Sequence, residues 1–243
     1  MTVTPSRLVA ASTKAYLGAA KTRSWLAGVL AAADRPAVID GSVEVAVLPA
    51  APLLTAALDL SRGTPVNVGA QDVSRFAAGA FTGEVSADLL AELGVRYVEI
   101  GHAERVWLLG ETPAVVREKV AQATRVGLVP LVCVGEPDHS GPRDAARVCA
   151  AQLEAMGVGD LETVIAYEPV WAIGATEPAP AAYVVEVASR LREHIRPDTR
   201  LLYGGSAGPG TFTGLAGAVD GLFLGRFAHD PQQLHAILDE VAV

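Results

Sequence analysis

Glu168 is the residue of this chain whose setting points most directly to chemistry. It ends an apolar run, Thr163–Tyr167, and a carboxylate there must either find a partner or take a functional role. Pro169 stiffens the chain beyond it, and Trp171-Ala172-Ile173 then form an apolar tip that ends at Gly174. This pattern predicts a general base beside a lid that excludes water. The alternative is a surface loop whose tryptophan packs against a neighbour.

A histidine and a lysine stand in comparable places. His102 follows Gly101 at the end of the run Tyr97–Gly101, so its imidazole can project from a strand-to-helix turn. Lys14 follows the run Leu8–Ser12 and could be a fixed cation that faces an anionic substrate. The less specific interpretations are a structural histidine and a solvated surface lysine. Metal binding is weakly supported, because no second His or Cys stands at ligand spacing.

Two glycine-containing segments near the end of the chain favour an anion site. They are Tyr203-Gly204-Gly205-Ser206 and Leu224-Gly225-Arg226, and each closes an apolar run. Backbone N–H groups in loops of this kind bind phosphate at the ends of the last strands of a barrel. Each segment alone is a weak signal, since glycine is common in turns.

These residues lie where short apolar runs give way to stretches with helical periodicity. The predicted strands are Leu8–Ser12, Val43–Leu48, Pro65–Gly69, Tyr97–Gly101, Leu131–Gly135, Thr163–Tyr167, Leu201–Gly204 and Gly221–Gly225. The predicted helices are Thr22–Ala33, Leu53–Ser61, Ser86–Leu93, Pro113–Arg125, Arg143–Met156, Pro180–His194, Gly210–Gly217 and Pro231–Val241. Thr112 and Asp230 each precede a proline and are predicted N-caps.

Eight strand–helix alternations predict an α/β protein with the closed (β/α)₈ fold known as the TIM barrel, in one domain over residues 1–243. A doubly wound open sheet uses the same alternation, but it usually carries a glycine-rich phosphate loop after its first strand. Here Thr13-Lys14-Ala15-Tyr16 stands at that point, with only Gly18 nearby. In a barrel, function lies at the C-terminal ends of the strands, where the residues above fall.

Composition excludes several classes of protein. The 243 residues are 51% hydrophobic and carry a net charge of 19 − 27 = −8, without a basic patch for nucleic acid. Neither of the longest charge-free stretches, Val45–Leu58 and Leu201–Val219, resembles a spanning helix. The polar start lacks a signal peptide, and two cysteines cannot build a disulfide framework. We expect a soluble, cytoplasmic protein with no nucleic-acid or membrane partner.

Six segments together resemble the triosephosphate isomerase family over nearly the full chain, in order and in spacing. They are Gly69-Ala70-Gln71, Gly79–Glu84, Gly101–Arg105, Cys133–Glu136, Ala166–Gly174 and Tyr203–Ser206. The resemblance implies that Glu168 is the base, His102 a neutral electrophile and Lys14 an electrostatic lysine. It also implies that Glu104 supports the site from behind the reacting groups.

Further expectations come from the same resemblance. Gly174, Ser206 and Gly225 would form a phosphate cradle for a small phosphorylated sugar, with no metal or organic cofactor. The protein would be a homodimer, in which the loop Phe81-Thr82-Gly83 reaches into the partner and helps to order Lys14. An aromatic side chain at a loop tip is also unfavourable in water, which independently favours association.

The chain departs from the family pattern around the substrate. Ser12 stands where the family usually has asparagine, Ala103 where it has serine, and Arg226 where it has glycine. The usual Thr-Gly-Lys-Thr-Ala hinge is replaced by Ala175-Thr176-Glu177-Pro178-Ala179. The implied catalytic residues are retained, whereas their surround differs.

Three functions follow from this asymmetry. The first is interconversion of dihydroxyacetone phosphate and glyceraldehyde 3-phosphate through an enediolate. The alternative is the same proton transfer on a longer ketose phosphate such as an erythrulose phosphate, and the third is a barrel that only binds a sugar phosphate. The shorter Ser12 leaves room for a longer substrate, and Arg226 would hold its phosphate or terminal hydroxyl. Arg226 could equally turn outward and pair with an acid on the rim.

Overall fold

The computed structural model describes residues 7–159, 161–175, 177–215 and 217–243. Within them, eight parallel strands form a closed barrel in sequence order, and β8 pairs with β1. The strands are β1 Arg7–Ser12, β2 Val43–Leu48, β3 Val66–Ala70, β4 Tyr97–Ile100, β5 Val129–Val134, β6 Val164–Tyr167, β7 Arg200–Tyr203 and β8 Gly221–Leu224. The prediction of a (β/α)₈ barrel is confirmed, and the open doubly wound sheet is excluded.

Helices surround the barrel and connect its strands. They are α1 Ala19–Ala33, α2 Pro36–Ile39, α3 Leu54–Ser61, α4 Ala87–Leu93, α5 Ala103–Leu109, α6 Pro113–Arg125, α7 Pro142–Met156, α8 Ala181–Leu191, α9 Thr211–Gly214 and α10 Pro231–Val241. None of these described helices is long and apolar enough to cross a membrane.

The strands are buried on both faces, which explains their almost uninterrupted apolar sequences. In β4, Tyr97 belongs to the cluster that fills the barrel, whereas Val98 and Ile100 pack outward against the helices. Leu8 and Ala10 of β1 likewise point inward. Because side chains alternate along a strand, Ser12 and Glu99 continue the inward series toward the C-terminal mouth.

Capping residues fix where several helices begin. The Thr112 side chain accepts a hydrogen bond from the Val115 backbone N–H, and Asp230 accepts one from Gln232, so both predicted N-caps are confirmed. Ser86 is an N-cap rather than the first helical residue, because its hydroxyl accepts a hydrogen bond from the N–H of Leu89.

Some boundaries and two elements differ from the predictions. Helix α8 ends at Leu191 and continues as a single 3₁₀ turn, and α9 is only one turn long. Helices α2 and α5 were not predicted. In α5 the apolar run Val106–Leu109 has no helical periodicity because none of this helix is buried, so the pattern that marks a core-facing helix is absent.

Candidate active site

The C-terminal ends of β1, β4 and β6 bring Lys14, His102 and Glu168 to one mouth of the barrel. His102 Nε2 lies 3.5 Å from Glu168 Oε2, and Lys14 Nζ lies 2.7 Å from Glu104 Oε1. His102 and Glu168 are buried, and the Lys14 side chain is 21% exposed. Residues separated by more than 150 positions in the sequence therefore face one space.

Glycines on both neighbouring strands make room for Glu168. A Cβ at Gly135 would lie 1.8 Å from the Glu168 carbonyl oxygen, and one at Gly204 would lie 2.5 Å from Glu168 Cγ. The backbone N–H of Gly205 donates a 3.1 Å hydrogen bond to Oε1. Among the described residues nothing donates to the buried Oε2, so this oxygen is available to take a proton.

The hydrogen bonds of His102 define the state of its ring. Its Nδ1 accepts a 3.1 Å hydrogen bond from the backbone N–H of Glu104, the second residue of α5. A nitrogen that accepts in this way carries no proton, so the ring is neutral and its proton is on Nε2. Nε2 is the atom that faces Glu168, so a donor and an acceptor stand opposite each other across the site.

Lys14 is held in a conformation that a lysine rarely adopts. Its φ of 46° makes it the single non-glycine residue with positive φ among those described. Gln71 Nε2 lies within 3.2 Å of Thr13 Oγ1, Lys14 O and Leu48 O, and so fixes this loop. Backbone strain of this kind persists where the surrounding contacts enforce it, and it is frequent at functional sites.

The charge of Lys14 is secured by its neighbours. Burial alone would lower the pKa of Lys14, but the hydrogen bond and charge of Glu104, with the charges of Glu168 and Glu99, raise it overall. The ammonium group therefore stays protonated and can stabilise negative charge in the cavity. Glu104 contacts Lys14 through its side chain and His102 through its backbone N–H.

Glu99 is a residue of the site that the sequence did not single out. It is 3% exposed, and it accepts a 3.1 Å hydrogen bond from Ser12 Oγ. Burial, together with the negative charge of Glu168, raises the pKa of Glu99 to about 7, although His102, Lys14 and Ser12 oppose the shift. The available signal was a carboxylate inside the apolar strand β4, which burial makes costly unless it has a use.

The segment after Glu168 is anchored by another buried carboxylate. Residues 170–172 form a 3₁₀ turn, from which Trp171 Nε1 donates a 2.7 Å hydrogen bond to Glu136 Oε1. The Tyr183 hydroxyl donates to the same oxygen, also at 2.7 Å. Ser206 Oγ lies 3.0 Å from the carbonyl oxygens of both Ala172 and Ala175. The predicted lid is thus held by hydrogen bonds to residues that follow β5 and β7, and its anchor Glu136 is also bonded to α8.

The expected phosphate-binding residues meet at the ends of β6, β7 and β8. Gly174 and Gly205 have positive φ, which leaves their backbones open to a close approach. Arg226 follows Gly225 and is exposed, and its Nη2 donates a weak 3.5 Å hydrogen bond to the Gly174 carbonyl oxygen. Within the described chain Arg226 makes no ion pair with a rim acid, so it faces the lid. The adjoining residue Thr176, part of the altered hinge, lies outside the described residues.

Metal-ligand groups are not concentrated anywhere in the described chain. No cluster of three or more His, Cys, Asp or Glu side chains could hold an ion there. Both cysteines are buried thiols without a disulfide partner.

Comparisons with known proteins agree with this geometry. The family model for triosephosphate isomerase matches residues 7–241. A protein of Pectobacterium atrosepticum named L-erythrulose-1-phosphate isomerase is 47% identical over 243 aligned positions, which cover 94% of this chain and 93% of the relative. A triosephosphate isomerase of Alcanivorax borkumensis is 44% identical, covering 72% and 75%. The solved triosephosphate isomerase of Bartonella henselae gives a TM-score of 0.83 at 30% identity, covering 96% and 98%.

Proposed function

The chain belongs to the triosephosphate isomerase family, and from this we propose that it isomerises a tetrulose phosphate of the L-erythrulose 1-phosphate type. This substrate is dihydroxyacetone phosphate with a hydroxymethyl group added at the carbon remote from the phosphate. Isomerisation moves the carbonyl group between the two middle carbons, and a hydrogen moves the opposite way. No bond to phosphate is made or broken.

Three side chains at the mouth support such a proton transfer. Glu168 Oε2 removes the proton from the carbon beside the carbonyl group and returns it to the neighbouring carbon. His102 Nε2–H donates to the oxygens of the enediolate, and Lys14 stabilises the negative charge that develops there. Triosephosphate isomerase is itself the established example of a carboxylate base paired with a neutral imidazole. The lid keeps water out and keeps the enediolate from eliminating phosphate.

The observation that carries the choice of substrate is the match to the L-erythrulose-1-phosphate isomerase. That match is 47% and spans 94% of the chain, whereas the triosephosphate isomerases compared reach 38–44% over 68–84%. The family's namesake reaction remains compatible with the same residues, but the similarity favours the alternative of a longer ketose. Arg226, on the lid side of the mouth, would then serve the phosphate.

The test is a direct comparison of substrates. We expect kcat/KM for L-erythrulose 1-phosphate to exceed that for dihydroxyacetone phosphate and glyceraldehyde 3-phosphate. Enzyme with Glu168→Gln serves as the control for contaminating isomerase. A higher kcat/KM on the trioses would contradict the proposal and assign the namesake activity, and binding without turnover of any of them would assign a non-catalytic barrel.

We further propose that the active form is a homodimer. A cavity of about 500 Å³ beside Lys14 and Glu104 opens between the mouth and helix α5. Trp107, Leu108 and Leu109 of α5 are 54%, 77% and 63% exposed, although apolar. An apolar surface of this kind, continuous with a cavity, favours association with a second copy. A cytoplasmic location and a reaction without cofactors stay predictions from the sequence.

A further inference from the structure

A buried carboxylate with spare hydrogen-bonding capacity lies in the wall of the cavity. In the described chain, Ser12 Oγ is the hydrogen-bond donor on the Glu99 carboxylate, at 3.1 Å. A carboxylate has about four acceptor positions, and one that is removed from water is costly unless they are used. The mechanism derived above assigns no step to Glu99. The acceptor positions of Glu99 that Ser12 leaves unused are therefore open to a ligand in the cavity.

The position of Glu99 relative to the reacting groups indicates which part of a ligand it would meet. Ser12, Lys14, Glu99 and His102 line one continuous cavity. Strand β4 stands opposite β8 in the ring of eight, and the end of β8 carries Gly225 on the phosphate side. A substrate with its phosphate near β8 would point its opposite end toward β4, the strand that carries Glu99 and leads to His102.

The chemistry of the Ser12–Glu99 pair suits a hydroxyl group. A hydroxyl donates to a carboxylate and accepts from the rotatable serine hydroxyl, so it can satisfy both partners at once. Ser12 and Glu99 both line the cavity, so a ligand there can reach the hydroxyl and the carboxylate together. An uncharged substrate end without a donor would leave the carboxylate unsatisfied.

We propose that Glu99, with Ser12 beside it, binds the terminal hydroxyl group by which a tetrulose phosphate differs from a triose phosphate. This inference rests on the proposed function and adds the specificity-determining residue. The competing explanation is that Glu99 only supports the charge of Lys14, in which case every substrate depends on it equally. The ratio of activities on two substrates separates these explanations.

The deciding experiment measures kcat and KM of Glu99→Val and Glu99→Gln on L-erythrulose 1-phosphate and dihydroxyacetone phosphate. Glu44→Gln is the matched control, because Glu44 is a barrel carboxylate at the opposite end, bonded to Arg200. We expect Glu99→Val to lower kcat/KM on the tetrulose about 10- to 100-fold more than on the triose, mainly through KM, because a hydrogen bond to a charged group is lost. Glu99→Gln should lower the ratio of kcat/KM on the tetrulose to that on the triose less than Glu99→Val does. Glu44→Gln should leave this ratio unchanged. Equal losses on both substrates would overturn the inference.

A binding measurement keeps the test independent of turnover and of folding. Calorimetry measures the difference in affinity between erythritol 1-phosphate and glycerol 1-phosphate, which are non-reacting analogues of the two substrates. If Glu99→Val does not fold, the nearly isosteric Glu99→Gln provides the test. We expect the preference for the tetritol phosphate to be reduced in Glu99→Gln and lost in Glu99→Val. A wild-type preference for the tetrulose that survives both variants refutes only the role of Glu99. A wild-type preference for the triose refutes the proposed function, and this inference falls with it.

Discussion

His102 Nε2 and Glu168 Oε2 face each other across 3.5 Å at the centre of the barrel mouth. The imidazole presents a proton there, and the carboxylate presents an oxygen with no other donor in the described chain. In the proposed reaction the carboxylate oxygen acts on the substrate carbons and the imidazole N–H on their oxygens, so the pair would move the proton without an external acid or base.

Shortening the base should remove most of the activity. Glu168→Asp withdraws the carboxylate by about one methylene, and a displacement of this size costs about 10²-fold in rate. Steady-state kinetics on the best substrate measure the loss in kcat. Glu186→Asp, the same change on an exposed face of α8, is the control. Wild-type kcat in Glu168→Asp would show that another group is the base.

Removing the half-buried cation of Lys14 should slow the reaction without unfolding the barrel. In Lys14→Ala the enediolate loses its charged neighbour, and we expect kcat to fall about 10²-fold or more. Circular dichroism and thermal melting should show an intact fold. Lys21→Ala, on the exposed side of α1, should leave kcat unchanged. A Lys14→Ala enzyme with normal kcat would mean that the lysine has a structural role.

Removing the hydrogen bond that anchors the lid should increase the elimination of phosphate from the enediolate intermediate. Trp171→Phe keeps an aromatic ring but removes the N–H that donates to Glu136, which destabilises the anchored lid by about 1.5–3 kcal/mol. A lid that opens during turnover lets the enediolate expel inorganic phosphate. We expect phosphate released per isomerisation to rise several-fold, measured by a coupled phosphate assay. Tyr16→Phe, which removes an exposed polar group outside the lid, should not raise it.

The protein should sediment as a dimer of about twice 25.1 kDa at micromolar concentration. Leu108→Glu places a charge on the exposed apolar face of α5 and should produce monomers with reduced activity. Leu89→Glu makes the same change at an exposed leucine of α4 and should remain dimeric. A wild-type species of 25 kDa would refute the homodimer.

Glu99 should make stability depend on pH. Its pKa rises from 4.5 to about 7 on folding, so between these values the folded state holds a proton that the unfolded chain has released. Stability from this group is therefore full below pH 4.5 and is lost as pH rises to 7, by about 3 kcal/mol. Urea unfolding at pH 5 and pH 8 should show a smaller difference for Glu99→Gln than for wild type. Identical differences would show that Glu99 does not titrate in this range.

The sequence predicted the features that repeat or that belong to strand ends. Alternating apolar runs and helices revealed the barrel, and polar residues after the strands revealed Lys14, His102 and Glu168. Glu99 was not predicted as a site residue because it lies within a strand, where the periodic pattern predicts only burial. The hydrogen-bond partner of its carboxylate, Ser12, lies on β1, 87 positions away, and only the fold brings the two together. Helix α5 was not predicted because it packs no face against the core.

The glycines beside Glu168 restrict which positions of this active site can change in evolution. Gly135 and Gly204 carry no functional group, yet a single methyl group at either would collide with Glu168. Mutational tolerance there should be as low as at Glu168 itself, whereas the hydrogen bond of Ser12 in the described chain goes to Glu99 and not to Glu168. Natural selection could therefore explore new sugars through the side chains of β1 and β4 while backbone crowding kept the reaction itself constant.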